Sequence, residues 1–164
     1  MDTMQKKDND ILLSVKDLEV QYTAGGQTIH AVNGVSFTIK RGHTFGLVGE
    51  TGAGKTTIAK SIMRILPDPP AKVVGGQIDL DGTNLFELPQ KRMNKVRGKQ
   101  ISMIFQDPMT ALNPVMPVGD QISEIFRLHE KASVQEAYLK TAQMFEMVGI
   151  PRERCHEYPH QFSG

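Results

Sequence analysis

Apolar residues alternate with polar ones at Leu13 and Val15, and again at Leu18, Val20 and Tyr22. A period of two predicts a strand with one face in a core. Gly25-Gly26 then predicts a turn. Ile29 to Val32 predicts a short strand, and Val35, Phe37 and Ile39 predict another that closes at Arg41-Gly42. The first ~40 residues thus predict a small antiparallel sheet.

The pattern changes at Phe45-Gly46-Leu47-Val48, a short apolar run of the kind expected for a buried parallel strand. A Gly-rich loop follows directly. Ile58, Ala59, Ile62, Ile65 and Leu66 then recur at helical spacing, and Pro67, Pro69 and Pro70 end that helix. Strand, loop and helix make half of a parallel α/β unit. Gln77 to Leu80 and Ile101 to Phe105 predict further strands, with a turn at Asp81-Gly82. Leu85 to Gly98 predicts a short helix plus loop.

Two amphipathic helices follow. One runs from Val118 to Leu128 and carries Ile122, Ile125 and Phe126. The other starts at Ser133, where Ser133 and Glu136 form a capping-box pattern, and stops at Gly149 and Pro151. No internal repeat or low-complexity segment interrupts this order.

Composition narrows the classes. In 164 residues, 39% are hydrophobic and 23% charged, enough apolar content for a core. Nineteen basic and 18 acidic residues leave a net charge of +1, which is no footprint for bulk nucleic-acid or anionic-membrane binding. One cysteine excludes an internal disulfide framework and a Cys-rich zinc module. Met1 to Asp10 is polar, has no signal core and predicts a flexible tail ahead of a domain over 11–164. No apolar run approaches the ~20 residues needed to cross a bilayer. The expectation is a soluble, cytosolic chain that, if it serves a membrane, does so through a protein partner.

The chemistry concentrates in Gly49-Glu50-Thr51-Gly52-Ala53-Gly54-Lys55-Thr56, a match to G-x-x-x-x-G-K-[ST]. A nucleotide's β and γ phosphates need inward-turned backbone N–H groups, and glycines permit that backbone. The helix that starts near Lys55 directs its amides and positive dipole end at the same phosphates. Lys55 is expected to reach the β and γ phosphates, and the Thr56 hydroxyl to ligate Mg²⁺, with Thr57 beside it. Such a loop indicates nucleotide binding without choosing among kinases, GTPases, motors and transporter ATPases.

Two further blocks carry a resemblance. They are Met103-Ile104-Phe105-Gln106-Asp107-Pro108-Met109-Thr110-Ala111-Leu112-Asn113-Pro114 and Tyr158-Pro159-His160-Gln161-Phe162-Ser163-Gly164. With the phosphate loop, they make the chain from about Leu12 resemble the N-terminal portion of an ABC transporter ATP-binding subunit, in the dipeptide/oligopeptide/nickel import subfamily. The resemblance implies an α/β P-loop NTPase of ABC type, with an antiparallel β subdomain, a partial RecA-like core and the start of a helical subdomain. It implies ATP and Mg²⁺ as cofactors. It places Tyr22 against adenine, although an aromatic at that position also suits the cover of a sheet edge. Gln106 becomes the glutamine that contacts Mg²⁺ or the attacking water, senses the γ phosphate and links to the membrane subunit. Phe162-Ser163-Gly164 becomes the opening of the signature sequence, in which Ser163 and Gly164 meet the ATP of an opposed subunit.

The same resemblance implies a second nucleotide-binding subunit, integral membrane permease subunits, no nucleic acid, and a place on the cytoplasmic face of the membrane. It sets the Walker B strand, the catalytic glutamate and the switch histidine downstream of Gly164. Two expectations follow from that: very slow ATP hydrolysis, if any, by the 164 residues alone, and exposed apolar surface that leads to oligomers, strand exchange or a partly disordered core. Two other classes remain open at this point, a soluble ABC ATPase acting on ribosomes or DNA and a truncated nucleotide binder without turnover. Cys155, His156 and His160 have irregular spacing for a metal. Lys91 to Arg97 suits a solvated face better than a nucleic-acid patch.

Overall fold

The computed structural model describes residues 10–162. The chain divides into two compact units, Met1–Asn94 and Lys95–Gly164. The expected tail over residues 1–10 lies outside the described residues except for Asp10.

The first unit is built on a four-stranded antiparallel sheet of order β2-β1-β3-β4. Its strands are β1 (Ile11–Ala24), β2 (Gln27–Lys40), β3 (Ala71–Leu80) and β4 (Thr83–Asn84). Gly25 and Gly26 join β1 to β2 with φ of 58° and 78°. Both central residues are left-handed, as a two-residue hairpin loop that matches strand twist requires.

The phase slip in the β1 pattern is a bulge. Val15 pairs with Phe37 and Leu18 with Val35, so β1 advances three residues while β2 advances two. Asp17 takes the strain at φ 46°. Its N–H donates to Ser36 Oγ at 2.8 Å, and the Ser36 hydroxyl donates to Asp17 Oδ1 at 3.1 Å. On the other side of β1, Gly76 of β3 faces this bulge. A Cβ there would lie 2.5 Å from the Asp17 carbonyl oxygen and 2.6 Å from Leu18 Cα. The bulge returns Leu18 and Val20 to the core, where both are fully buried with Val15 and Ile78 nearly or fully so. Each such side chain contributes about 1.5–3 kcal/mol by leaving water.

The two short strands expected at Ile29 to Val32 and Val35 to Ile39 are one strand. A second irregularity separates them: Leu18 pairs with Val35 and Val20 with Val32, and Gly34 between them has φ 66°. The strand expected at Gln77 to Leu80 extends back to Ala71 because all of it pairs with β1.

Two expectations are corrected. Phe45-Gly46-Leu47-Val48 forms no strand, and Val48 is 91% exposed. Ile101 to Phe105 is reduced to one parallel bridge between Arg97 and Ile101, with Ile104 93% exposed. A parallel strand exists only through a ladder with neighbours on the same sheet. Among the described residues, neither run has a ladder partner beyond that single bridge. Phe45 instead stacks on Phe37 of β2, ring centroids 4.9 Å apart and nearly parallel.

Helix α1 (Lys55–Met63) follows the Gly-rich loop, and α2 (Gln90–Val96) lies within the stretch expected to hold a short helix. The second unit holds α3 (Val118–Glu130) and α4 (Val134–Met147). Their connection is set by Lys131, left-handed at φ 57°, and by Ser133, whose capping box with Glu136 is complete. Tyr138 of α4 donates its hydroxyl proton to Asp120 of α3. At the same end of α3, Gly119 packs against the short 3₁₀ segment Arg152–His156: a Cβ on Gly119 would lie 2.5 Å from the Cys155 carbonyl oxygen and 2.8 Å from its Cβ. No helix among the described residues is long and apolar enough to cross a membrane.

Candidate nucleotide site

The loop between Val48 and α1 turns on two left-handed glycines, Gly52 at φ 86° and Gly54 at φ 81°. Ala53 N–H donates to the Glu50 carbonyl at 3.1 Å, which closes the turn. Gly49 sits under it, with room for no more than a tight contact: an added Cβ would be 3.3 Å from Ala53 Cβ. Glu50, Thr51, Gly52, Ala53 and Thr56 are exposed, whereas Gly54, Lys55 and Thr57 are half-buried.

Gly54 is the N-cap of α1, so no side chain caps the helix, and no acidic residue stands in its first turn. The positive end of the helix therefore faces the loop without a competing side-chain oxygen from the cap. Lys55 crosses the loop. Its ammonium donates to the Gly49 carbonyl at 2.7 Å and to the Glu50 carbonyl at 2.6 Å.

Three features hold α1 in place. Ile58 and Ser61 are buried, and Ser61 Oγ donates to the Thr57 carbonyl at 2.8 Å. Arg64, left-handed at φ 51°, caps the helix, and its guanidinium donates to the carbonyls of Leu85 at 2.8 Å and Leu88 at 2.7 Å. Gly54 meets β2 at an irregularity, where Val20 pairs with Val32 and Gln21 with His30, leaving Ala31 as the extra residue. A Cβ on Gly54 would come closer than 3.0 Å to the Ala31 carbonyl oxygen.

Tyr22 is half-buried on β1, between Ile29 of β2 and Ala71 of β3. It lies two residues beyond Val20, whose cross-strand partner Val32 borders Gly54. The structure thus gathers residues 49–57 into one loop-helix element in the same unit as Tyr22. Gln106 stands in the second unit, exposed at a bend ahead of the 3₁₀ turn Pro108–Ala111. The chain after that turn is held by Gln121 of α3, whose side chain accepts from Asn113 N–H at 2.8 Å and donates to the carbonyls of Asn113 and Met116, each at 3.0 Å. Ser163 and Gly164 lie outside the described residues.

Arg64 and Gln121 were not singled out by the sequence reading. Arg64 sits where the apolar period meets Leu66-Pro67, the place where a cap is needed. Gln121 carries no such signal, since a glutamine near a helix start is ordinary.

The donor set suits Mg²⁺ only in company with phosphate. Among the described residues, no group of three or more His, Cys, Asp or Glu side chains could hold a metal ion. A magnesium ion bound mainly through nucleotide oxygens and water needs little more from the protein than a hydroxyl such as that of Thr56. Cys155, one of the three metal candidates set aside above, is buried, and burial pushes its thiol pKa up.

The chain matches the family described as ABC transporter over residues 32–164, and it belongs to that family. The dipeptide transport ATP-binding protein DppD of Bacillus subtilis is 49% identical over 155 residues, which cover 93% of this chain and 46% of that protein. The oligopeptide transport ATP-binding protein OppD of the same organism is 44% identical over 155 residues, 93% of this chain and 43% of that protein. OppD of Escherichia coli is 43% identical over 157 residues, 94% of this chain and 46% of that protein. This chain therefore spans a little under half the length of these relatives. Among solved structures, a bacterial ABC transporter cassette in dimeric form superposes with a TM-score of 0.77 at 21% identity, over 93% of this chain and 63% of that one. An ATP-binding cassette dimer in a post-hydrolysis state, bound to ADP and Pi, gives 0.75 at 20% identity, over 92% and 63%. The fold is thus that of part of an ABC ATPase cassette.

Proposed function

We propose that this chain is the nucleotide-binding portion of the ATP-binding subunit of an ABC importer, coupling ATP binding and hydrolysis to uptake of peptides or a related small solute. The observation that carries the reading is the loop at Gly49–Lys55. It combines two left-handed glycines, a helix start without a side-chain cap, and an ammonium held by two loop carbonyls. The identity to dipeptide and oligopeptide transport ATP-binding proteins supports the solute class.

The residues divide the work. Backbone N–H groups of Gly49, Glu50, Thr51, Gly52, Ala53 and Gly54 bind the β and γ phosphates, and α1 adds its positive end. Lys55 exchanges its two carbonyl contacts for phosphate oxygens. Thr56 offers its hydroxyl to Mg²⁺, and Thr57 lies next along the helix. The metal, when bound, neutralises charge on the phosphate oxygens. Tyr22 stacks on adenine. Gln106 contributes an amide toward the metal and the attacking water, and so reports the γ phosphate. Ser163 and Gly164 face the nucleotide of a second subunit in a head-to-tail pair, and the pair acts on integral permease subunits from the cytoplasmic face of the membrane.

The test uses the full-length subunit with its permease in sealed vesicles. ATP-dependent peptide accumulation that vanishes in Lys55→Ala supports the reading. Crystals soaked in ATP that show the nucleotide bound away from residues 49–57 overturn it.

A further inference from the structure

One edge of the four-stranded sheet is open and runs beside a cleft. β4 pairs only with Asp79 and Leu80 of β3. One more bond follows, from Leu85 N–H to the Ile78 carbonyl at 2.7 Å. Upstream of Ile78, no strand among the described residues lies on that side of β3, while its other side pairs with β1 as far as Ala71. The open stretch reads Lys72-Val73-Val74-Gly75-Gly76. Sheet edges are normally blunted by charge, proline or a covering element. After Lys72 this one has neither charge nor proline, and Val74 is 42% exposed. The cleft along it has a volume of about 550 Å³, within the range of small-ligand sites. Ser61 and Arg64 at the end of α1 and Phe86 after β4 form its walls, and Asp68 and Lys72 line it at the start of β3. Those walls are tied together, because the Arg64 guanidinium bonds the carbonyls on either side of Phe86, at Leu85 and Leu88. Phe86 N–H is fixed in turn on Asn84 Oδ1 at 3.0 Å. Asp68 and Lys72 are exposed, and neither enters an ion pair among the described residues.

We propose that this cleft binds a short free peptide in extended form, as an added antiparallel strand on β3 with its C-terminal carboxylate at Lys72. The site lies at the C-terminal end of α1, whereas the phosphate loop lies at the other end of that helix. An open edge offers backbone N–H and C=O groups that an extended backbone matches, and side chains alternating to its two faces add selectivity. The rest of the sheet is antiparallel, and an antiparallel newcomer ends where β3 begins, beside the Lys72 ammonium. Residues 72–76 at about 3.3 Å each span ~16 Å, the length of a tetra- or pentapeptide. Val74 and Phe86 give its apolar side chains a surface to cover. Asp68 stands near the same end and selects against a second carboxylate in the last residue. The choice of a free peptide over a segment of another protein rests on the peptide-import reading given above.

The experiment titrates the full-length subunit, without nucleotide, with the tetrapeptide Val-Ala-Val-Ala bearing free termini. Calorimetry reads the affinity, and hydrogen exchange reads the amides of residues 72–76. The expected result is saturable binding with Kd between about 10 μM and 1 mM, and slower exchange over 72–76 when peptide is present. Lys72→Glu is expected to weaken binding at least about tenfold while keeping the melting temperature and ATP affinity of wild type. The C-terminally amidated peptide is expected to lose a similar factor on the wild-type protein, and this arm decides the matter should Lys72→Glu fail to fold. A backbone N-methylated tetrapeptide, which lacks donors for the edge, is expected not to bind. No saturation below about 10 mM overturns the proposal, as does equal affinity for the free and amidated peptides. Amides of 72–76 already protected in the peptide-free monomer overturn it too, because the rest of the chain then fills the cleft. A nucleotide-free dimer that Lys72→Glu dissociates overturns it in favour of a second copy at the edge. A wild-type subunit that binds no ATP removes the nucleotide reading instead, and leaves the peptide titration to decide this proposal by itself.

Discussion

Gly54 and Ala31 meet backbone to backbone: the first glycine before α1 fits against the carbonyl oxygen of the extra residue in β2. The position excludes a side chain twice, by space and by its φ of 81°. Gly54→Ala is expected to lower stability by about 2 kcal/mol or more. Urea denaturation measures it, and a midpoint equal to wild type would show that the loop sits off β2 in solution.

Lys55 makes its two contacts to carbonyls of the loop it spans, so removing it relaxes the loop without opening a core. In the full-length subunit, Lys55→Ala is expected to weaken Mg-ATP binding at least about tenfold, ~1.4 kcal/mol, with little change in melting temperature. Isothermal titration provides the measurement. Equal affinity in the two proteins would remove Lys55 from the site.

Tyr22 is expected to contribute through its ring rather than its hydroxyl. Tyr22→Phe should leave ATP affinity unchanged, while Tyr22→Ala should lose about 1–3 kcal/mol of stacking. GTP and ATP titrations on both variants separate this from the alternative role of covering a sheet edge. In that case Tyr22→Ala would alter stability and leave affinity alone.

Glu136 gives a pH dependence whose sign is set by its cap. The Ser133 backbone N–H donates to Glu136 Oε2 at 2.8 Å, and this bond, with the Ser133 hydroxyl second, holds the carboxyl below the usual carboxylate range. A lowered pKa in the folded chain stabilises it at pH above the ordinary value of about 4.3. That contribution is lost as pH falls through the lowered value. Thermal melts followed by circular dichroism should therefore show Glu136→Gln destabilised at neutral pH, with the gap to wild type closing in acid. A gap independent of pH would mean that the capping box does not form.

The parts of this fold that were legible in the sequence are those whose cause is local. The hairpin at Gly25-Gly26, the phosphate loop and the Ser133–Glu136 cap are each specified by a few adjacent residues. The start of the candidate site was legible for the same reason, because glycines and a lysine at fixed spacing are needed by the phosphate chemistry itself. The strands expected at Phe45 to Val48 and Ile101 to Phe105 fail on the opposite ground. An apolar run states that a segment suits a buried sheet, whereas the strand itself comes from ladder partners elsewhere in the chain. The irregularities at Asp17 and Gly34 were visible only as a slip in phase and as a break between two short runs, and the one at Ala31, inside the run Ile29 to Val32, left no mark in the pattern. The Arg64 guanidinium acts through the carbonyls of Leu85 and Leu88, distant in sequence, and Gln121 through those of Asn113 and Met116 in the irregular stretch before α3; no spacing rule points to either set of bonds.

The fit of Gly119 onto Cys155 makes the chain's single thiol a natural reporter. A thiol kept from water and protonated by its surroundings reacts with an alkylating reagent when the first turn of α3 lifts away. The labelling rate of the unmodified protein therefore counts how often that helix detaches, with no probe engineered into it.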